Sequence, residues 1–216
     1  MGGFFYFLWQ TWYNTTNMYP CPPGRNRKKE TAMIDIEKLQ DILAEYKRDF
    51  PQRWPLEKYK WEAVRCFQTA WDFAARDFEE MFTAATARTK DLLTSVNYYP
   101  RGVMRGFAAV NRDATKAMFA NLFDEKKNLA ARVERFREDA EHIRREYGEG
   151  IWKQHYQKLN AISIYLWLRY PDRYYLYNYS DCRVVAKELH SSFMPHRGAH
   201  AGNLIGAYEL FDEICD

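Results

Sequence analysis

The chain has 216 residues, 47% hydrophobic and 17% aromatic, with 32 basic and 29 acidic side chains and a net charge of +3. That is enough apolar material for one real core, or for a core and a small appendage. The balanced charge excludes a strongly electrostatic nucleic-acid binder and implies a mixed, solvated surface, on which a local basic patch is still allowed.

Gly3 to Tyr13 (GFFYFLWQTWY) opens the chain. It is apolar but far shorter than the about 20 residues that a membrane span needs. It also lacks the basic region and small-residue cleavage site of a signal peptide. Pro20, Pro22, Pro23 and Gly24 then forbid regular structure. Residues 1–32 are expected to be a poorly structured extension ahead of a natural start at Met33. The alternative is a short hydrophobic arm that docks on the body or on a membrane surface.

From Met33 onward the apolar spacing is helical almost everywhere. Ile34, Leu39, Ile42, Leu43 and Tyr46 mark a first helix that ends before Pro51. Trp61, Val64, Phe67 and Trp71 form the stripe of an amphipathic helix. Phe78, Met81, Phe82, Ala85 and Leu92 continue it, with Asp72 as a possible cap between, so one long helix or two are both open. Asn97 to Pro100 is a break, and Pro100 suits the first turn of a helix reaching Val110. Asn111 is a good N-cap for the next helix. Leu129, Val133, Phe136, Ala140, Ile143 and Tyr147 make the cleanest stripe, opposite a face carrying Arg132, Glu134, Arg135, Glu138 and Arg144 that reads as solvated. Gly148 and Gly150 end that helix.

The segment from about His155 to Tyr170 has almost no polar face and predicts a central, buried helix, stopped by Pro171. Tyr174, Tyr175, Leu176, Tyr177 and Tyr179 predict a short extended aromatic piece. Ser180 or Asp181 caps a helix from Arg183 to Leu189, and Ser191 to Asn203 reads as the mobile loop of the body. A final helix carries Leu204, Tyr208, Phe211 and Cys215 and runs to Asp216 without a stop signal, as in a chain cut from a longer protein. The expected architecture of residues 33–216 is all-α: a single compact domain of about seven to nine helices.

Motifs for chemistry are scarce. There is no phosphate-cradling G-x-x-x-x-G-K-[ST], no HExxH, no GxSxG and no SxxK set, so nucleotide hydrolysis is not expected of these residues. Cys21, Cys66, Cys182 and Cys215 form no CxxC pair and read as reduced thiols of a cytoplasmic protein. His196 and His200 sit four apart, but in a loop and without a nearby cysteine; they read as solvated rather than as zinc ligands. Asp72 with Asp77, and Glu79 with Glu80, are ordinary pairs of an amphipathic surface. No catalytic residue, cofactor or metal is expected.

The stronger candidate is a cluster of arginines and tyrosines: Arg169, Arg173, Arg183 and Lys187 around Tyr174, Tyr175 and Tyr177. Cations hold phosphates without reading sequence, while exposed aromatic faces stack on unpaired bases. The competing reading is that the tyrosines cap the buried helix and the arginines solvate its end. Arg101 and Arg105, beside Gly102 and Gly106, make a weaker second patch.

Two stretches belong together: KYKWEAVRCFQTAWDFAARDFEEMF with TKDLLTSVNYYPRGVM and MFANLFDEKKNLAARVERF, and HYQKLNAISIYLWLRYPDRYYLYNYSDCRVVAKEL. They are similar to the helical region ahead of the motor domain in bacterial McrB-like AAA+ proteins, the nucleotide-hydrolysing subunits of modification-dependent restriction systems. The resemblance covers most of residues 33–216. It implies a recognition or regulatory module, an AAA+ motor further along a longer polypeptide, and a nuclease partner subunit. The chain stops before any Walker motif, and no base-reading residue is carried over.

Two functions are expected on these grounds. One is a non-catalytic recognition module of a restriction-type defence system that binds DNA. The other is a helical protein-interaction scaffold that docks to the motor or the nuclease and leaves DNA alone. An unrecognised enzyme would need His155, His190, His196 or His200 to converge with carboxylates in one pocket.

Overall fold

The structure, a computed structural model, describes residues 34–215, with the backbone alone at Lys90 and Asp91. The expectations for residues 1–32 and for Cys21 lie outside the described residues. The described chain is all-α: α1 Ile36–Glu57, α2 Tyr59–Ala70, α3 Phe78–Ala85, α4 Lys90–Leu93, α5 Pro100–Val110, α6 Arg112–Leu122, α7 Leu129–Tyr147, α8 Leu159–Arg169, α9 Tyr179–Glu188 and α10 Ala201–Cys215. None of these helices is long and apolar enough to cross a membrane. They fall into two compact units, one continuous over Lys58–Arg169, the other formed by the described residues up to Glu57 together with those from Tyr170 onward. A single residue, Lys58, separates α1 from α2 at one junction, so composition carries no sign of this division.

In the unit Lys58–Arg169, local signals set the helix ends. Asp77 caps α3 by accepting from the Glu80 amide at 2.8 Å, and Asn111 caps α6 by accepting from the Ala114 amide at 3.0 Å. Asp72 instead closes a turn, accepting from the Ala74 amide, so the long stripe is two helices. Pro100 opens α5 and Gly148 ends α7, as expected. The core is a set of aromatic rings around Phe119, which faces Trp71, Phe136 and Tyr165 at centroid distances of 5.0, 5.2 and 5.1 Å. Helix α8 is the buried element that its composition predicts, packed on α2 and α4, with Trp167 against Trp61 at 5.6 Å. It begins at Leu159 rather than near His155, because Tyr156 adopts a left-handed backbone (φ 59°) that no helix continues through. Arg132 leaves the solvated face assigned to it. It is buried, donating to the Leu122 carbonyl at 2.7 Å and to Glu125 at 3.0 Å.

In the other unit, α1 does not stop before Pro51 but runs through Pro51 and Pro55 to Glu57. Both prolines face solvent, where water can serve the carbonyls they leave unbonded. On another face the rings of Tyr46, Phe50 and Trp54, spaced four apart, pack along the helix at 6.0 and 5.8 Å, the first pair edge-on and the second tilted. Residues 174–178 are extended coil without strand pairing, and Asn178 caps α9 through the Ser180 and Asp181 amides. The segment Ser191–Asn203 is not a loose loop. The buried Asn203 side chain accepts from the His196 amide at 3.0 Å and donates to the carbonyls of His196 and Gly198 at 2.8 and 3.2 Å. The Phe193 ring lies where a Cβ on Gly206 would sit.

Candidate functional site: an aromatic groove

The arginine–tyrosine cluster is divided by the fold. Tyr174, Tyr175 and Tyr177 are 1%, 0% and 3% exposed and form the core of the unit that contains α10. The rings of Tyr174 and Tyr175 meet Tyr208 at 5.7 and 5.9 Å, and the Tyr175 hydroxyl donates to Asp212 at 3.0 Å. Burial drives the Tyr175 phenol far above its ordinary pKa. These faces are covered, so the expected stacking platform for bases is absent from this arrangement; the apolar side of α10 takes its place as their partner. Arg173, Arg183 and Lys187 stay exposed, and Arg183 donates to the Tyr179 hydroxyl at 3.2 Å. Arg169 ends α8 in the other unit and is half-buried.

The second basic patch is structural. Arg101 donates to the Thr86 hydroxyl at 3.0 Å and to the Thr83 carbonyl at 3.2 Å, and Arg105 pairs with Glu79 at 3.2 Å. Among the described residues, no group of three or more His, Cys, Asp or Glu side chains gathers to hold a metal ion. Burial pushes the Cys182 thiol up to about 12, far from the reactive range.

One shallow groove of about 510 Å³ does bring a histidine to carboxylates. Glu134, Arg137, Glu138, Glu141, His142, Arg145 and His155 line it, on α7 and the segment between α7 and α8. Its chemistry is that of paired surface charges. Glu134 binds Arg137 at 2.7 Å, and Glu141 binds Arg144 and Arg145 at 2.7 and 2.9 Å. These guanidinium groups hold the Glu141 carboxyl down to about 2, which leaves it neither a proton donor nor an effective base near neutrality. His155 has one ring nitrogen occupied by the Gln157 amide at 2.9 Å, and burial lowers its pKa.

The sign of the Glu141 effect is testable. Its folded pKa lies below the ordinary 4.5, so its contribution is present above pH 4.5 and is lost as pH falls towards 2. Glu141 and Arg144 are partly exposed and Arg145 is largely so, and solvent screens the pairs, so Glu141→Gln should cost only about 1 kcal/mol at pH 7. The same substitution should flatten the stability profile between those pH values, as read by urea unfolding. An unchanged profile would remove the assignment.

A second groove, of about 380 Å³, has a different character. Tyr99, Gly102, Val103, Ile151, Trp152, Lys153 and Tyr156 line it, at the start of α5 and in the segment between α7 and α8. Tyr99 and Ile151 are 45% and 67% exposed there, large apolar side chains that folding leaves open. The walls are nevertheless held firmly. The Trp152 indole fills a slot at Gly106 and Gly148, where a Cβ on either glycine would come within 2.2 and 2.3 Å of the ring. Phe107 meets the same indole edge-on at 5.1 Å, and Arg144 donates to the Trp152 carbonyl at 3.3 Å. The Tyr156 ring lies against Tyr98 and Tyr99 at 6.2 and 6.1 Å.

Tyr156 keeps its left-handed backbone because its neighbour is locked. Gln157 is fully buried and donates to the carbonyls of Pro100 and His155 at 2.9 and 3.0 Å, while its oxygen accepts from the Tyr165 hydroxyl at 3.2 Å. A buried, satisfied side chain thus ties the 151–158 segment to the first residue of α5. Apart from Gly102, which sequence places beside the weaker basic patch, none of these groove residues stood out in sequence as a site. The available signal was the cluster Ile151, Trp152 and Tyr156 in a glycine-flanked connector, too apolar for an ordinary surface loop. Comparison of the chain with protein-family models, with curated proteins and with solved structures finds no match.

Proposed function

We propose that this chain is a non-catalytic recognition module that engages another protein at the aromatic groove of the Lys58–Arg169 unit. The observation that carries the proposal is the combination of open apolar surface at Tyr99 and Ile151 with walls fixed by the Trp152 slot and the Gln157 network. A rigid, partly hydrophobic cleft is what a docking surface needs, since little ordering entropy remains to be lost on binding. The resemblance to the region ahead of the motor in McrB-like restriction proteins supplies the partner class, an AAA+ motor domain or its nuclease subunit, and with it a cytoplasmic location and a role in defence. Hydrogen exchange of the full chain, alone and mixed with such motor and nuclease proteins from the same genome, tests this. Amides of residues 99–103 and 151–156 should slow by tenfold or more, about 1.4 kcal/mol of protection. Protection elsewhere with these amides unchanged would overturn the proposal.

A second reading keeps DNA as the ligand, held by the cations of the other unit. Arg183 and Lys187 favour it, since they lie four residues apart and exposed on α9, with Arg173 exposed nearby in sequence. Three phosphate contacts would give log K a slope of roughly −2.7 against log salt. Binding to plain and cytosine-methylated duplexes that is flat in salt ends this reading.

A further inference from the structure

We infer that the groove lined by Tyr99 and Trp152 receives an acidic segment of the partner protein, seated by one large aromatic or aliphatic side chain. The inference rests on the proposed docking role of this groove and adds the chemistry of its occupant. Size sets the first limit. A volume of about 380 Å³ is at the low end of ligand clefts, which run from about 300 to 1,000 Å³, and suits one bulky side chain with its flanking backbone. The lining sets the second, because Tyr99, Val103, Ile151, Trp152 and Tyr156 offer apolar and ring surface.

Charge decides the flanks. Lys153 is the one charged side chain among the described residues that line the groove, and no described carboxylate pairs with it. A cation left unpaired beside an apolar cleft complements an acidic neighbour of the inserted side chain. Arg101, next in sequence to the groove residue Gly102, does not add to it, being turned to Thr83 and Thr86. A single cation also argues against a nucleic acid here. A base stacked between rings would bring a phosphate backbone that needs several cations.

Gly102 makes the inference testable without unfolding the protein. A Cβ added there meets nothing within 4 Å, so Gly102→Leu projects a side chain into open groove while replacing a helical glycine. Ile151→Glu, at a position 67% exposed, reaches the same groove by a second route. The full chain serves as bait for a phage-displayed library of short random peptides, and enriched peptides are then titrated by fluorescence anisotropy. Peptides with Asp or Glu beside an aromatic or large aliphatic residue should be enriched. Their Kd should rise roughly tenfold with Gly102→Leu, Ile151→Glu or Lys153→Glu, at a Tm no lower than that of wild type. Peptides with basic or uncharged flanks that bind wild type and Lys153→Glu alike would overturn the acidic occupant and leave the docking role standing. Peptides that bind Gly102→Leu and Ile151→Glu as tightly as wild type would overturn both. A library without an enriched family, or displacement of bound peptide by a short single-stranded DNA, also counts against the acidic occupant.

Discussion

Phe119→Ala is expected to lower the unfolding free energy of the Lys58–Arg169 unit by about 3–5 kcal/mol. Phe119 is fully buried on α6, at the point where six other rings meet. Beyond Trp71, Phe136 and Tyr165, it faces Phe82 and Phe123 at 5.7 Å each and Phe78 at 6.3 Å. Removing the ring forfeits its transfer free energy and leaves a cavity walled by flat, stiff side chains that cannot close it. Several of the lost contacts are edge-on, a geometry that adds about 0.5–1.5 kcal/mol per pair beyond area burial. Phe119→Leu keeps most of the volume and should cost less, about 1.5 kcal/mol or under. Urea unfolding followed by tryptophan fluorescence separates the two variants. Equal losses, or an alanine variant within about 1 kcal/mol of wild type, would show that the rings do not form one packed unit.

Gln157→Leu should be the most damaging polar substitution, costing about 2–4 kcal/mol. Leucine is close to glutamine in volume, so no cavity arises, and the loss is one of hydrogen bonding. The Pro100 carbonyl and the Tyr165 hydroxyl would remain buried without Gln157 as their partner, at about 1–3 kcal/mol for each group. A second consequence concerns binding. Tyr156 holds a positive φ at a cost of about 1–2 kcal/mol, and Gln157 is what keeps its neighbour in place. Once that tie is cut, the Tyr156 ring is free to leave Tyr98 and Tyr99, and the groove loses a wall. Partner and peptide binding should therefore fall together with stability, while hydrogen exchange accelerates over residues 151–158. A leucine variant that loses stability yet binds normally would detach the network from the groove. One that keeps both would show that the buried amide contributes little.

The groove and the buried tyrosines show how differently the two levels of information reach this protein. Tyr99 and Tyr156 lie far apart in sequence and meet only because α5 and the segment before α8 are brought side by side. No local spacing encodes that meeting. Trp152 is a similar case, since its slot is built from Gly106 on α5 and Gly148 at the end of α7. In the cluster Tyr174, Tyr175 and Tyr177, coil backbone has no period of its own, so nothing local says which way a ring points; α10 decides it by offering Tyr208 and Phe211.

By itself the sequence determined the all-helical class, the ends set by Pro100, Asn111 and Gly148, and the burial of α8, because a period of about 3.6 residues and the capping groups act within a few residues of chain. Tertiary structure alone decided the persistence of α1 across Pro51 and the burial of Arg132. It also decided the inward turn of the tyrosines and the groove at Tyr99, Trp152 and Tyr156. Each of these depends on what a distant segment places opposite a side chain, and burial, partner and open volume exist only once those segments are packed.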